Sequence, residues 1–413
     1  MNLFVYEHIS SGGFAGEPIP TSILSEGFAM LRTLIEDLKA AGHSVTALLD
    51  LRLKPLASLL RAEQIILVKS KEELRGAIVK ALEGLDAAYI IAPEDALPSL
   101  IEIVEDKGVM SLNCTSEAIK AVSNKAKAYL ELRRAGLNVP ETIEVNIDES
   151  PAKIGQMARS LEFPVVFKPL SGASCAGLSI VKALNQVSSA IRKVRNEAGG
   201  ERFLIQKFIR GVNASVSLIA TDKKATPITL NMQRIRLSPP SLESLYEGGM
   251  VPLEHPLKNE AFKAAEEAVS IFNGLRGYVG VDIILAGDRA YVMEVNPRLT
   301  TSYVGLRRVV GFNPAQSIIN AVFCGESPSI CEVRGFSAFQ KVKIQNLRRK
   351  SSIDVYGMEN VLTPPIELGG FTYAFIEAYG STPHSALNKL YRVRKGLMQR
   401  IYGEGSSGED FRA

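Results

Sequence analysis

Hydrophobic positions along the first hundred residues follow two alternating spacings. Apolar residues of segment 23–40 recur every three or four positions, which is the spacing of one helix face, and Gly42 closes the segment. Continuous apolar runs of strand length surround this helix, at residues 3–6, 45–49, 65–68 and 88–91. Because strands that alternate with helices form parallel sheets, the pattern predicts an α/β domain over residues 1–115.

The pattern changes after residue 115 and predicts a small α+β domain over residues 116–205. Its helices are expected at 116–138 and 186–196, and its strands at 165–169, 178–181 and 203–209. Strands dominate residues 206–402, with a hairpin expected at 280–296 and helices at 259–273 and 384–401. Segment 403–413 is rich in Gly and Ser and is expected to be a flexible tail.

The composition is typical of a packed protein. The 413 residues are 46% hydrophobic and 22% charged, so the chain has enough apolar surface to offset the entropy cost of ordering it. The 48 Lys and Arg barely exceed the 44 Asp and Glu, and the densest basic run, 348–350, is expected to be a solvated loop. Nucleic acid is therefore not an expected partner.

The cysteines and the hydropathy of the chain indicate the cellular compartment in which the protein works. The four cysteines are widely spaced and form no CxxC pair, which is typical of reduced thiols rather than of a zinc site or a disulfide framework. No run of 18 apolar residues is present, and the N-terminal segment lacks the basic region and long apolar core of a signal peptide. A cytoplasmic protein without membrane contact is the expectation.

The first chemical motif is a lysine on a strand, followed by a loop of small residues. Lys168 supplies a fixed cation, and the loop that contains Ser171, Gly172 and Ala173 supplies backbone N–H groups that a ligand can approach closely. A triphosphate needs both. The loop matches neither GxxxxGK[ST] nor GxGxxG, and an ordinary solvent loop remains the alternative.

The second motif is the segment 203–211, which leads out of the small domain. Its backbone groups at Lys207 and Ile209 are candidates for hydrogen bonds to an adenine edge. The alternative is an ordinary core strand without a ligand.

The third motif combines oxygen ligands on a predicted hairpin. Glu294 and Asn296 are two residues apart on one strand and so share a face, while Asp282 lies on the partner strand in an apolar run. Buried carboxylates are costly unless they are paired or bind a cation, and three oxygen donors suit Mg²⁺. Arg298 follows the strand and can reach phosphates or a substrate carboxylate. The alternative is an acidic pair neutralised by arginines.

These motifs follow one another in a characteristic order: Lys125, Lys168 with its loop, segment 206–211, Asp282, and Glu294-x-Asn296-x-Arg298. The order resembles the ATP-grasp superfamily, and the resemblance covers nearly the whole chain. It implies an ATP-grasp fold with an N-terminal pre-ATP-grasp α/β domain at 1–115. A small lid domain would follow at 116–205 and a C-terminal catalytic sheet domain at 206–402.

The resemblance also implies roles for residues. Lys125 and Lys168 would hold the phosphates of ATP together with the small-residue loop, and the adenine would be framed by Gln206, Lys207 and Ile209. Phe208 would also contact the nucleotide. The ligands of Mg²⁺ (or Mn²⁺) would be Asp282, Glu294 and Asn296.

Two positions depart from the pattern of the superfamily. Asn213 stands where many members place an acidic ribose ligand. Gly280 stands where many carry an arginine, a group that either Arg298 or Arg234 would replace.

A narrower resemblance rests on segments 6–14, 214–217 and 296–306. They are similar to the tyramine–glutamate ligases of methanofuran synthesis and to relatives of these enzymes in methylotrophs. This implies an ATP-dependent carboxylate–amine ligase that activates glutamate as an acyl phosphate and joins it to tyramine or tyrosine. Arg298 and Lys168 would be its catalytic residues.

Substrate contacts are expected at the end of the first strand and near the metal strand. Acceptors and donors would come from Glu7, Ser10, Ser11, Gly12 and Gly13, because ligands collect at the carboxyl edge of open α/β sheets. Arg234 or Arg236 would offer a cation, and Thr300 is a further candidate, although Thr300-Thr-Ser-Tyr equally fits a helix cap. Phe14 and Tyr303 are either an apolar slot for a phenolic amine or packing aromatics.

Two rival functions remain open at this stage. One is a ligase for another amino acid or for a peptide, and the other is a nucleotide-binding sensor without turnover. The oligomeric state, including a homodimer, is also open.

Overall fold

The structure is a computed structural model of the chain. It describes residues 1–170, 175–329, 332–345, 355–368 and 370–403. Three predicted features lie outside these ranges: the loop residues Ser171, Gly172 and Ala173, the basic run at 348–350, and the tail beyond residue 403.

The described strands are β1 (Asn2–Glu7), β2 (Ser44–Asp50), β3 (Gln64–Val68), β4 (Ala87–Ile91), β5 (Met110–Ser111), β6 (Thr142–Asn146), β7 (Val165–Pro169), β8 (Ser179–Val181), β9 (Arg202–Lys207), β10 (Val212–Ala220), β11 (Ala225–Arg236), β12 (Leu245–Val251), β13 (Gly277–Ala286), β14 (Arg289–Asn296), β15 (Phe336–Ile344), β16 (Val361–Thr363) and β17 (Thr372–Gly380). The described α-helices are α1 (Thr21–Ala40), α2 (Lys71–Ala81), α3 (Leu97–Asp106), α4 (Ser116–Ser123), α5 (Lys125–Arg134), α6 (Pro151–Ser160), α7 (Val187–Glu197), α8 (Lys258–Ser270), α9 (Tyr303–Val309), α10 (Pro314–Cys324) and α11 (Pro383–Tyr402).

The N-terminal segment forms a parallel sheet in the order β3-β2-β1-β4-β5. Alternate residues of β1 enter two different cores: Leu3 and Val5 pack with α1, whereas Phe4 and Tyr6 pack with α2 and α3. Both faces of the strand are therefore apolar, which explains its continuous hydrophobic run. The predicted parallel α/β fold of this segment is confirmed.

The middle segment forms an antiparallel sheet in the order β6-β9-β7-β8. Helices α6 and α7 pack on it in a separate core. The strand that the sequence predicts over 203–209 ends at Lys207, so Phe208 and Ile209 lie in the connection to the next sheet.

The C-terminal segment forms an eight-stranded sheet in the order β14-β13-β10-β11-β12-β15-β17-β16. The predicted hairpin is present, since β13 pairs with β14 in antiparallel register. Strand β12 was not predicted, because its Gly248-Gly249 pair is unusual in a strand. A Cβ atom at Gly248 would collide with the carbonyl of Phe339 on β15, so close strand contact explains this glycine.

A cavity of about 490 Å³ lies where the three sheets meet. Its walls come from α1, the start of α5 and the ends of β1 and β4, from β7 and β9 of the middle sheet, and from β10, β11, β12, β13 and β14. No helix among the described residues is both long and apolar enough to span a bilayer.

Candidate active site

A cluster of opposite charges lines the cavity. Nζ of Lys168 on β7 is 2.6 Å from one carboxylate oxygen of Glu294 on β14, and Nζ of Lys125 at the start of α5 is 3.1 Å from the other. All three side chains are at most 16% exposed. The structure thus brings together two predicted phosphate ligands and one predicted metal ligand from distant parts of the chain.

The lysines determine the ionisation of Glu294. Burial favours its neutral form, but the ammonium groups of Lys125 and Lys168 outweigh burial and hold the pKa of Glu294 well below its usual range. Lys125 shows the reciprocal effect, because its carboxylate neighbours raise its pKa against the effect of burial. Glu294 therefore carries a full negative charge in the cavity.

Asp282 and Asn296 complete the predicted metal set. Asp282 lies directly opposite Glu294 in the β13–β14 ladder and accepts hydrogen bonds from the amides of Gln233 (2.8 Å) and Asn296 (3.1 Å). Burial and the charge of Glu294 raise the pKa of Asp282, while the two amides lower it. The carboxylates of Asp282 and Glu294 and the amide of Asn296 therefore lie side by side on one face of the hairpin.

This donor set fits a hard divalent cation. No group of three or more His, Cys, Asp or Glu among the described residues is arranged to hold a metal by itself. Mg²⁺ needs no such cage, because it commonly binds one or two carboxylates and takes its other ligands from phosphate oxygens and water. Asp282 and Glu294 provide two carboxylates and Asn296 provides an amide, and the ammonium groups of Lys125 and Lys168 lie beside Glu294.

Arg298 lines the cavity just beyond the metal strand. Its Nε atom is buried and has no hydrogen-bond partner among the described residues, while one terminal nitrogen donates to the carbonyl of Leu299 at 3.3 Å. Because its guanidinium lines the cavity, Arg298 is positioned to bind an anion there.

Three successive hydroxyl residues hold the loop that contains Arg298 and connects β14 to α9. Thr300 hydrogen-bonds to Tyr278 (3.0 Å), Thr301 donates to Glu26 (2.9 Å), and Ser302 pairs with Ser215 (3.3 Å). The alternative in which this segment serves as a side-chain cap of a helix is wrong. Ser302 directly precedes α9, and its side chain makes no capping hydrogen bond. These side chains attach the loop to β13, α1 and β10.

The same loop explains the missing arginine. A Cβ atom at Gly280 would lie 2.5 Å from Cγ2 of Thr300, so no side chain fits at this position while the loop is in place. Arg298, which the loop carries, lies in the cavity instead.

The predicted nucleotide residues also line the cavity: Gln206, Lys207, Phe208, Ile209 and Asn213. Gln206 is buried, and its amide donates to Thr142 at 3.0 Å. The backbone N–H of Lys207 already donates to the carbonyl of Glu141 at 2.8 Å, so the predicted adenine bond from this amide is not available.

At the end of β1, one predicted substrate residue lines the cavity and its neighbours hold it in place. Glu7 lines the cavity, and its carboxylate accepts bonds from the Ser10 hydroxyl (2.6 Å), the Ser10 amide (2.7 Å) and the Ile9 amide (3.1 Å). Burial raises the pKa of Glu7 to about 7, although these donors oppose the shift.

The structure places the other predicted residues of this segment behind the cavity wall. Ser10 and Ser11 have no exposed surface, and the hydroxyl of Ser11 donates to the carbonyl of Leu48 at 2.6 Å. Gly12 and Gly13 face Val68 and His8 rather than the cavity. These four residues support Glu7 and the strand end instead of lining the substrate space.

Three further expectations need correction. Arg234 lies outside the cavity, 43% exposed and 3.9 Å from Glu247, because its neighbours Gln233 and Ile235 occupy the cavity face of β11. Arg236 is also exposed on that outer face. The aromatic slot is not built as predicted, since Tyr303 is fully buried with its hydroxyl bonded to Asp37 (2.7 Å), and Phe14 does not line the cavity.

Two carboxylates in the cavity were missed by sequence reasoning. Glu94, after β4, lies 3.5 Å from Lys125, and burial together with the charge of Glu294 raises its pKa to about 7. Glu26 on α1 forms a buried pair with Lys341 at 2.6 Å. The position of Glu94 after a buried parallel strand was a usable signal, the same one that identified Glu7.

Two family models match the chain. The one described as ATP-grasp domain matches residues 122–302, and the one described as pre ATP-grasp 3 domain matches residues 43–119. A tyramine–L-glutamate ligase of Methanocaldococcus jannaschii is 32% identical over 309 residues, which are 74% of this chain and 84% of that protein.

Solved structures agree with this result. A protein of Archaeoglobus fulgidus assigned to the ATP-grasp superfamily matches 91% of this chain and 99% of its own, with 25% identity and a TM-score of 0.62. A biotin carboxylase of Campylobacter jejuni shares the fold, with a TM-score of 0.71 at 15% identity over 94% of this chain and 89% of its own. On these grounds the chain belongs to the ATP-grasp family and is a carboxylate–amine ligase.

Proposed function

We propose that this ligase joins the γ-carboxylate of glutamate to the amine of tyramine or tyrosine at the expense of ATP. The observation that carries the proposal is the 32% identity to a tyramine–L-glutamate ligase across 84% of that protein. The amide would then be an intermediate of a methanofuran-type cofactor.

The nucleotide takes the end of the cavity between the middle sheet and the C-terminal sheet. Its adenine packs against Phe208 and Ile209, and Asn213 faces its ribose. Lys125 and Lys168 contact the phosphates. Each ammonium has three donors and is not exhausted by the carboxylates it now contacts, so further donors remain for phosphate oxygens.

The reaction proceeds in two steps that need no protein nucleophile. The glutamate carboxylate attacks the γ-phosphorus of ATP, and the bond to the β-phosphate breaks to release ADP. The amine then attacks the acyl carbon, and the carbon–oxygen bond to phosphate breaks. Amide, phosphate and a proton are the products.

The residues of the site act by position and charge. The position of Arg298 in the cavity wall, just after the metal strand, supports a role as the donor to the reacting carboxylate and to the oxyanion that forms on it. Lys168 stabilises the charge on the moving phosphoryl group. Asp282, Glu294 and Asn296 would hold Mg²⁺ or Mn²⁺, which supplies positive charge to the phosphates when bound.

The middle sheet (β6–β9), called the lid sheet below, and the C-terminal sheet (β10–β17), called the catalytic sheet, meet through the contact of Lys168 with Glu294. This supports a closed arrangement in which water is kept from the acyl phosphate.

Coupling assays test the substrates. The protein is incubated with Mg-ATP, glutamate and either tyramine or tyrosine, and the γ-glutamyl amide is sought by mass, with one ADP expected for each amide. Reactions without the amine serve as the control. Brisk turnover of another acid–amine pair, with no product from either of these amines, would overturn the substrate assignment and leave the ligase class intact.

Hydroxylamine tests the intermediate. With ATP and glutamate but no amine substrate, we expect a glutamyl hydroxamate and ADP. Release of AMP and pyrophosphate would instead indicate an adenylate and defeat the acyl-phosphate scheme. Tight nucleotide binding without ADP release for any acid would favour the sensor.

A further inference from the structure

One wall of the cavity is apolar, and three of its four residues lie outside the hydrophobic cores, whereas Tyr246 packs against the core that contains α1. This apolar wall consists of Leu178, Ile235, Leu237 and Tyr246, which all line the cavity and are all partly exposed. Leu178, Ile235 and Leu237 are members of none of the four hydrophobic cores of the described residues. Partly exposed apolar side chains that face a cavity are typical of a ligand site.

The backbone builds this wall as one surface. Ile235 on β11 lies directly opposite Tyr246 on β12, and Leu237 follows two residues later on the same face. The hydroxyl of Ser244 donates to the carbonyl of Leu178 at 2.8 Å and so ties the start of β8 to the β11–β12 connection. The four side chains therefore converge from two different sheets.

The wall begins beside the reacting centre. On the cavity face of β11 the side chains run in the order Gln233, Ile235, Leu237, and the amide of Gln233 donates to Asp282 at 2.8 Å. One repeat of a strand separates Gln233 from Ile235, which is about 7 Å. A ligand on the wall thus has one end near the phosphoryl-transfer position and its body on apolar surface.

The chemistry of the substrates selects the occupant. Glutamate has no large apolar body, and the adenine is assigned to the end of the cavity formed by Phe208 and Ile209. A primary amine carried by a short alkyl chain on an aromatic ring matches an apolar wall with a polar end, and Tyr246 adds aromatic surface to that wall. We infer that the apolar wall binds the aromatic body of the amine substrate and so selects arylalkylamines; this inference rests on the proposed function.

Truncation of the wall tests this role. We expect Leu237→Ala and Ile235→Ala to raise the KM for tyramine roughly 10-fold, because each removes methyl groups from the contact. The KM for ATP and the rate of hydroxamate formation should stay unchanged, since hydroxylamine has no apolar body. Leu237→Met, which keeps the apolar volume, should retain the normal KM.

Arg236→Ala is the matched control, because Arg236 lies on the same strand with its side chain exposed on the outer face. The inference would be overturned if the wall variants lost formation of the γ-glutamyl amide of tyramine and formation of the hydroxamate to the same extent. A normal KM for tyramine in these variants would also overturn it. If the wild type couples neither tyramine nor tyrosine, the proposed substrates fail. In that event, phenethylamine is compared with methylamine: preference for phenethylamine supports the wall, and preference for methylamine overturns it.

Discussion

Glu294 and Lys168 form a buried ion pair in which Oε2 of the carboxylate lies 2.6 Å from Nζ of the ammonium. The two residues come from different sheets, β14 and β7, and are 126 positions apart in the chain. Their contact joins the lid sheet to the catalytic sheet at the point where phosphoryl transfer is proposed. Changes at this pair should therefore affect chemistry before they affect the fold of either sheet.

Glu294→Gln should abolish turnover while leaving the fold intact. A neutral amide keeps the shape of the side chain but cannot balance the charge of a divalent cation beside the phosphates. ADP release measures the effect, and circular dichroism checks the fold. Glu144→Gln, an exposed lid residue paired with Arg202, is the control and should behave as the wild type. A folded Glu294→Gln protein with near-normal ADP release would exclude the metal role of Glu294.

Arg298→Ala should lower kcat by about 10²- to 10³-fold, as is typical when a donor to a developing oxyanion is removed. Arg234→Ala should leave kcat unchanged, because the side chain of Arg234 is exposed outside the cavity. Steady-state kinetics with saturating ATP measure both variants. Similar losses in the two variants would contradict the assignment of Arg298 over Arg234.

Gly280→Ala should displace the loop that carries Arg298, since the new Cβ would lie 2.5 Å from Thr300. We expect about 1–3 kcal/mol of lost stability and a lower kcat. The control is Gly76→Ala on α2, where a Cβ meets nothing within 4 Å and the change should stabilise the helix by roughly 0.5–1 kcal/mol. Denaturant unfolding and ADP release measure both variants. An unchanged kcat for folded Gly280→Ala would show that the loop tolerates the methyl group.

Glu7 should make stability depend on pH in a defined direction. Burial raises its pKa from the usual 4.5 to about 7, so the folded state binds the proton more tightly than the unfolded state. The proton on Glu7 therefore stabilises the folded state fully below about pH 4.5, and this stabilisation is lost as the pH rises through 7.

Between pH 5 and 8 the wild type should lose stability relative to Glu7→Gln, by at most about 3 kcal/mol. Denaturant unfolding at several pH values measures the difference. A difference that does not change over this range would mean that Glu7 ionises normally in the folded state.

The sequence by itself determined the features that depend on local spacing. Alternation with a period of two placed Glu294 and Asn296 on one face, and the hairpin pairing brought Asp282 opposite Glu294. Hydrophobic runs located β1, β2 and β4 to within a residue or two, because strands buried on both faces must be apolar throughout.

Tertiary structure alone decided which polar residues face the cavity. Ser10 and Ser11 sit in a polar segment like any site loop, yet packing against β2 buries them behind Glu7. On β11, spacing shows that Gln233 and Arg234 face opposite sides, but only the position of the other sheets decides that Gln233 is inside. The apolar wall and the partners of Glu94 and Glu26 come from segments far apart in the chain, and no local pattern records such long-range packing.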